Sequence, residues 1–167
     1  MIKLPDQSSC KLKNQFSSFD YNNSTLMTQS IVNSKYSVWK CDILNIPNSI
    51  GLWIGCLPSY YSYLALKPIT YGSLSGYEAF KAWTDGNYRR KGFSTKLLEQ
   101  AKTLGNIFSD SQGMSKSAFL LWKKQKNIQY FDTETNSIVL ASSIPCNDLF
   151  TAYSCGKRWQ MLLSNSP

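Results

Sequence analysis

The 167 residues predict a mixed α/β fold, with a sheet that is antiparallel at first and is flanked by helices. Three observations carry this prediction. Apolar runs of strand length at Lys35–Leu44, Ile50–Leu57 and Tyr60–Leu66 are separated by turns around Pro47 and Pro58 and closed by Pro68, the pattern of an antiparallel meander. After Gly92, the residues Phe93, Leu97, Leu98, Ala101 and Leu104 recur at helical spacing, with Gly105 just past the end. Two later strand candidates, Ile128–Asp132 and Ser137–Ser142, flank the turn Thr133–Asn136.

Taken in order, residues 1–33 are rich in Ser, Asn and Gln, with scattered Phe16, Phe19, Leu26 and Met27. A polar N-terminal segment, loosely structured or partly helical, is expected there, ahead of a single domain over 34–167. The meander follows. Tyr71–Gly76 reads as a flexible loop, and Tyr77–Trp83 fits a strand or a short helix, because its periodicity does not separate the two. Asn106–Asp110 is a short strand candidate. Ser115–Gln125 is a second helix, with Ala118, Phe119, Leu121 and Trp122 opposite Lys116, Lys123 and Lys124. Between Pro145 and Pro167 no element stands out. The basic-aromatic Lys157-Arg158-Trp159 fits a snorkelling surface patch and a partner site equally well.

Bulk properties narrow the function classes. A hydrophobic share of 43% and an aromatic share of 14% favour a packed core over disorder. No window approaches the roughly 18 apolar residues of a spanning helix. Met1–Asp6 lacks the basic and apolar regions of a secretory signal, so a cytosolic location is expected. Five scattered cysteines (Cys10, Cys41, Cys56, Cys146, Cys155) without a CxxC pair are expected as free packing thiols. The absence of histidine removes Ser-His-Asp and Cys-His catalysis and imidazole metal sites, so no metal is expected.

The formal charge of +8 is concentrated: Lys81–Lys126 carries ten Lys or Arg against three Asp or Glu. An anionic partner is expected at that segment, either a polyphosphate cofactor or nucleic acid. The informative stretch is Trp83-Thr-Asp-Gly-Asn-Tyr-Arg-Arg-Lys-Gly-Phe-Ser-Thr-Lys-Leu-Leu98. A strand enters a tight basic loop and an amphipathic helix leaves it. Such a junction aims unpaired backbone N–H groups and the positive end of a helix dipole at one spot, which suits a phosphate or pyrophosphate. Arg90 and Lys91 add side-chain charge, and Gly92 permits close backbone approach. In an average protein Arg89-Arg-Lys91 is a solvated turn; the glycine leading into a helix is what favours a ligand.

Arg89-Arg-Lys-Gly92-Phe-Ser94 resembles the Arg/Gln-x-x-Gly-x-Gly/Ala signature of the GNAT superfamily of N-acetyltransferases, with Ser94 in place of the last small residue. Trp83–Tyr88 is similar to the strand and turn that lead into that signature, and Lys96-Leu-Leu98 to the helix that follows. Ile107–Asp110 and Lys116–Lys123 resemble the family's next strand and helix. The Ser-Asp, Ser-x-Ser-Ala-x-x-x-Trp-Lys and Tyr-Phe-Asp-Thr-Glu-Thr pattern is reminiscent of acetyltransferase-like proteins encoded by bacteriophages, for which the location would be the host cytoplasm. The resemblance spans about residues 77–140.

It implies a GNAT-like, mainly antiparallel central sheet flanked by helices, with acetyl-CoA in a cleft where two central strands splay. The implied cofactor contacts are the amides of Arg90, Lys91, Gly92, Phe93 and Ser94, the hydroxyl of Thr95, and Trp83, Arg89 and Trp122 around them. Backbone groups of Tyr77–Thr84 would pair with the acyl-pantetheine arm, and Glu78 is the implied general base. One departure concerns the acid: Trp122 stands where many members have a tyrosine, and an indole cannot protonate a thiolate at neutral pH. The alternatives are a substitute acid (Tyr130, Ser109 or Ser115), departure of the thiolate with the help of water, and an inactive enzyme. The implied activity is acetyl transfer to an amine of a small molecule, a protein or an RNA-linked group. The rivals are an inactive GNAT-fold effector that grips nucleic acid or a host protein through its basic face, and an unrelated small nucleic-acid-binding protein.

Overall fold

The computed structural model describes residues 18–31, 36–56, 59–144 and 158–164, with the main chain alone over 28–31, at 56 and at 59–60. Among these residues the fold is mixed α/β and its sheet mainly antiparallel. The elements are β1 (Thr25–Ile31), β2 (Tyr36–Asp42), β3 (Ile50–Cys56), β4 (Ser59–Tyr71), β5 (Leu74–Thr84), α1 (Phe93–Lys102), β6 (Asn106–Phe108), α2 (Lys116–Lys123), β7 (Ile128–Asp132), β8 (Ser137–Val139) and β9 (Trp159–Leu163). The described residues fall into two compact units: those within Met1–Lys67 and Lys81–Gln100, and those within Pro68–Phe80 and Ala101–Pro167. The long strands β4 and β5 contribute residues to both. Among the described residues no helix is long and apolar enough to cross a membrane.

In the first unit the strand order is β1-β2-β3-β4-β5, and β1 to β4 pair antiparallel. Strand β3 is buried from Ile50 to Gly55, which explains why its sequence is a continuous apolar run rather than an alternating one. On one of its faces Trp53 stacks on Trp39 at 5.6 Å and meets Tyr21 edge-on at 5.8 Å. Phe19 presses onto Gly51 so closely that a Cβ there would lie 2.6 Å from the ring. The segment expected to be loose or partly helical therefore does structural work from Phe19 onward. Phe19 and Tyr21 are buried, and Thr25–Ile31 is a strand registered on β2 through Thr25↔Lys40 and Leu26↔Trp39. Tertiary packing outweighs its polar composition. Cys41 is a free, buried thiol, and burial above all pushes it up to about 12, so it is an inert packing group.

Two expectations between Pro68 and Trp83 are revised, and the open choice at Tyr77–Trp83 is resolved. Strand β4 does not stop at Pro68 but runs to Tyr71. Its β3 partners end at Ile50↔Leu66, so the missing N–H of Pro68 breaks no bond to β3. Tyr71–Gly76 is not a flexible loop. Gly72, at φ +58°, closes a two-residue turn directly into β5, a conformation glycine adopts at no steric cost. Tyr77–Trp83 belongs to a strand.

In the second unit the order is β4-β5-β6-β9-β7-β8. β5 and β6 are parallel over Gly76↔Asn106, Tyr77↔Ile107 and Glu78↔Phe108, joined through α1 in a βαβ crossover. Gly76 is required because a Cβ there would collide with the Asn106 carbonyl. β5 then continues to Thr84, past the end of β6. Phe108, Phe131 and Leu162 form the core, and Tyr71 packs its ring 5.3 Å from Phe108 and 5.2 Å from Phe131. β9, for which the sequence offered no pattern, inserts between β6 and β7. Strand β8 ends at Val139 rather than Ser142 because the chain turns into a short 3-10 segment at Ala141–Ser143. Arg158 is a structural ion-pair residue: its Nε and Nη2 donate to the two oxygens of buried Asp132 at 2.9 and 2.7 Å, and Nη1 reaches Glu134 at 2.8 Å. Its guanidinium also lies 4.5 Å from the Trp159 ring. Lys157 lies outside the described residues.

Candidate functional site

The basic junction belongs to the first unit. At the end of β5, Asp85 donates its N–H to the Tyr61 carbonyl at 2.9 Å, and its carboxylate accepts from Asn87 N at 2.9 Å. A 3-10 turn at Gly86–Tyr88 results. Arg89 is extended, at φ −63° and ψ 153°, and the next positions are unusual. Arg90 sits at φ +62° and Gly92 at φ +78°. A non-glycine residue in this left-handed region costs about 1–3 kcal/mol and is held there by its surroundings, most often at ligand clamps and turns. Lys96 N donates to Gly92 O at 3.0 Å as the first bond of α1. The N–H groups of Phe93, Ser94 and Thr95 thus precede the helix ladder and stand at its positive end.

Aromatic packing keeps this turn in place. Tyr88 stacks on Tyr61, with centroids 3.9 Å apart at 18°, and Lys91 Nζ lies 4.7 Å from the centroid of the Tyr88 ring. Phe93 is buried between Tyr36 at 5.1 Å and Tyr88 at 6.0 Å, a contribution of about 1.5–3 kcal/mol. Phe93 can therefore offer a ligand its amide but not its ring. Trp83 is half-buried and stacks on Tyr63 at 6.0 Å. Arg89, Arg90, Lys91 and Gly92 are exposed, and Thr95 is half-buried in the first helical turn. A Cβ added at Gly92 would meet nothing within 4 Å, so the constraint on that position is torsional. No acidic residue occurs between Asp85 and Glu99. Exposed cationic side chains, a left-handed turn and amides outside the helix ladder occur together over Arg89–Thr95, donors of the kind that suit a diphosphate.

The Ser94 side chain takes part in a chain of hydroxyls. Its hydroxyl lies 2.9 Å from Thr84 Oγ1, which lies 2.7 Å from Ser62 Oγ, which donates to the Trp83 carbonyl at 3.0 Å. Neither Ser62 nor Thr84 was singled out by motif. The signal available was Ser62 itself, a polar residue inside the apolar run Tyr60–Leu66.

The remaining expected site residues lie in the second unit. Glu78 is buried, and its Oε1 accepts from both Ser111 N and Ser111 Oγ at 2.8 Å, anchoring the turn after β6. Ser111 was not anticipated. Burial first, then the Glu78 carboxylate, raise the Tyr71 phenol above its ordinary value, with the Gln160 amide opposing; Tyr71 is the phenol that this structure associates with Glu78. Ser109 is buried, its Oγ accepts from Met161 N at 2.9 Å, and its carbonyl accepts from Gln160 Nε2. Ser109 thus extends the β6–β9 pairing. Tyr130, half-buried on β7, is registered with Met161 and Val139. Trp122 is buried with Phe119 on the inner face of α2, and Ser115 caps that helix by accepting from Ala118 N at 3.2 Å.

No family model matches the chain, and no curated protein matches it. Solved structures do. An acetyltransferase of the GNAT family from Staphylococcus aureus Mu50 is 17% identical, covering 80% of this chain and 70% of that one, with a TM-score of 0.41. A protein assigned as a streptothricin acetyltransferase from Bacillus anthracis Ames, in complex with acetyl coenzyme A, is 14% identical over 98% of both chains, with a TM-score of 0.43.

Proposed function

We propose that this chain is an acetyl-CoA-dependent N-acetyltransferase of GNAT-like fold that moves an acetyl group to an amine. One observation carries the reading: the segment Trp83–Thr95 forms a strand, a strained basic turn and a helix start, with Arg90 and Gly92 left-handed and the first helical amides outside the ladder. In this reading the amides of Gly92, Phe93, Ser94 and Thr95 hold the diphosphate, with Arg89, Arg90 and Lys91 supplying charge. The backbone of β5 takes the pantetheine arm. The cofactor, when bound, supplies the acetyl thioester. Glu78, oriented through Oε1 by Ser111, is the assigned general base. The acid is assigned to a phenol, a group protonated at neutral pH: Tyr130, or Tyr71, whose ring packs beside Phe108 and Phe131. Trp122 is assigned to packing.

Titration calorimetry with acetyl-CoA tests this directly. Saturable binding is expected, and Gly92→Glu, which puts a carboxylate where phosphates belong, abolishes it. Absence of binding at millimolar cofactor would end the proposal. A second reading is favoured by the exposure of Arg89, Arg90 and Lys91: a basic face that grips nucleic acid or a protein without turnover. Thiol release with a panel of amines supports the enzyme, whereas steeply salt-dependent retention on nucleic acid, indifferent to acetyl-CoA, supports the binder.

A further inference from the structure

We propose that Ser62, Thr84 and Ser94 form a one-way hydroxyl relay that fixes the first turn of α1, making Thr84 a positioning residue of the diphosphate site; the inference rests on the cofactor reading above. The direction of the relay follows from proton counting. A hydroxyl has one proton and two acceptor lone pairs, and a carbonyl has no proton to give. At 3.0 Å from Trp83 O, Ser62 must spend its proton on that carbonyl. The 2.7 Å contact between Ser62 and Thr84 is then donated by Thr84, and the 2.9 Å contact between Thr84 and Ser94 is donated by Ser94. Only this order leaves every contact with one donor and one acceptor.

Two consequences distinguish the relay from a set of incidental contacts. First, the Ser94 proton is committed inward, so toward a phosphate its hydroxyl presents lone pairs only and its amide alone can donate. Ser94 therefore serves the site by where its backbone is held. Second, the relay ends on the main chain of β5 and begins on the second residue of α1, so it sets the rotation of the helix start relative to the strand before it. Thr84 is the node, since its own carbonyl also lies 3.4 Å from Arg89 Nε at the opening of the basic turn. The burial of Ser62, 0% exposed inside an otherwise apolar run, is explained at the same time: a buried hydroxyl without partners is costly, and this one is satisfied as donor and as acceptor.

The test compares wild type, Thr84→Val, which keeps the shape and removes the relay, and Thr84→Ser, which restores it. Amide exchange at Lys96, Leu97 and Leu98, the groups that close the first turn of α1, is expected to be about tenfold faster in Thr84→Val and to return to wild type in Thr84→Ser. The dissociation constant for acetyl-CoA is expected to rise about tenfold in Thr84→Val, while acetylpantetheine, which lacks the diphosphate, binds all three proteins alike. Ser94→Ala, at a half-buried position, removes the first donor without touching the core and is expected to weaken acetyl-CoA by about threefold. Unchanged exchange and affinity in Thr84→Val, or equal weakening of both ligands, would overturn the relay. If wild type binds no acetyl-CoA, the cofactor reading falls, and the exchange comparison still decides whether the relay holds the helix start.

Discussion

The protein has two arginine-bearing junctions, and they use charge in opposite ways. Ahead of β9, Arg158 makes a bidentate contact with buried Asp132 and a third with Glu134, so its charge is consumed internally. Ahead of α1, among the described residues, neither Arg90 nor Lys91 has a carboxylate within ion-pair distance, and both are exposed. The first junction is a staple. The second leaves its charge exposed, next to helix amides that lie outside the ladder. Sequence alone presents both as basic and aromatic clusters; only the placement of acids separates them.

Substitutions can break this contrast, and the largest effect belongs to Gly92→Glu, for which acetyl-CoA affinity is expected to fall more than about a hundredfold, with a modest fall in melting temperature from the left-handed torsion at that position. Next, Asp132→Ala leaves Arg158 facing a void. A loss of about 2 kcal/mol of stability is expected by chemical denaturation, moderated because Arg158 is 41% exposed, with acetyl-CoA affinity unchanged. Arg90→Ala with Lys91→Ala should do the reverse: affinity falls about tenfold, and stability stays within about 0.5 kcal/mol.

The staple also predicts a pH dependence. Arg158 holds the Asp132 carboxyl down at about 2, below its ordinary 3.8. A depressed carboxyl stabilises the fold above the unfolded value and loses that contribution as pH falls through the folded one. Stability contributed by this pair is therefore expected to be complete at neutral pH and to drain away between about pH 4 and pH 2. Asp132→Asn should flatten that part of an acid-unfolding curve, and an unflattened curve would mean that the pair is not a staple. The smallest effect is expected from raised salt, which screens the exposed Arg90 and Lys91 within a Debye length of about 8–10 Å and weakens acetyl-CoA, while the direct bidentate contact of Arg158 with Asp132 is affected less.

Much of the fold was legible because its signals are local. Proline-bounded runs marked β2 and β3, the Phe93–Leu104 spacing marked α1, and the apolar positions Ala118, Phe119, Leu121 and Trp122 marked α2. What escaped depends on distant partners. β9 is a strand because β6 and β7 leave a place for it, and β1 is one because Trp39 and Lys40 register it. β4 runs through Pro68 because the β3 ladder has ended by then. At residues 89–95 glycine and charge are local signals too, and they place the basic turn and the helix start that the structure shows there. The relay did not show in the sequence, because a serine in a strand carries no hint of which carbonyl it will meet.

The insertion of β9 sets a condition on synthesis. Met161 joins Ser109 across 52 residues of chain, so during translation β6 and β7 wait with open edges until the segment beyond Arg158 leaves the ribosome. Nascent chains halted before Trp159 would present two bare strand borders side by side, the kind of surface that chaperones shield and that neighbouring chains can pair with.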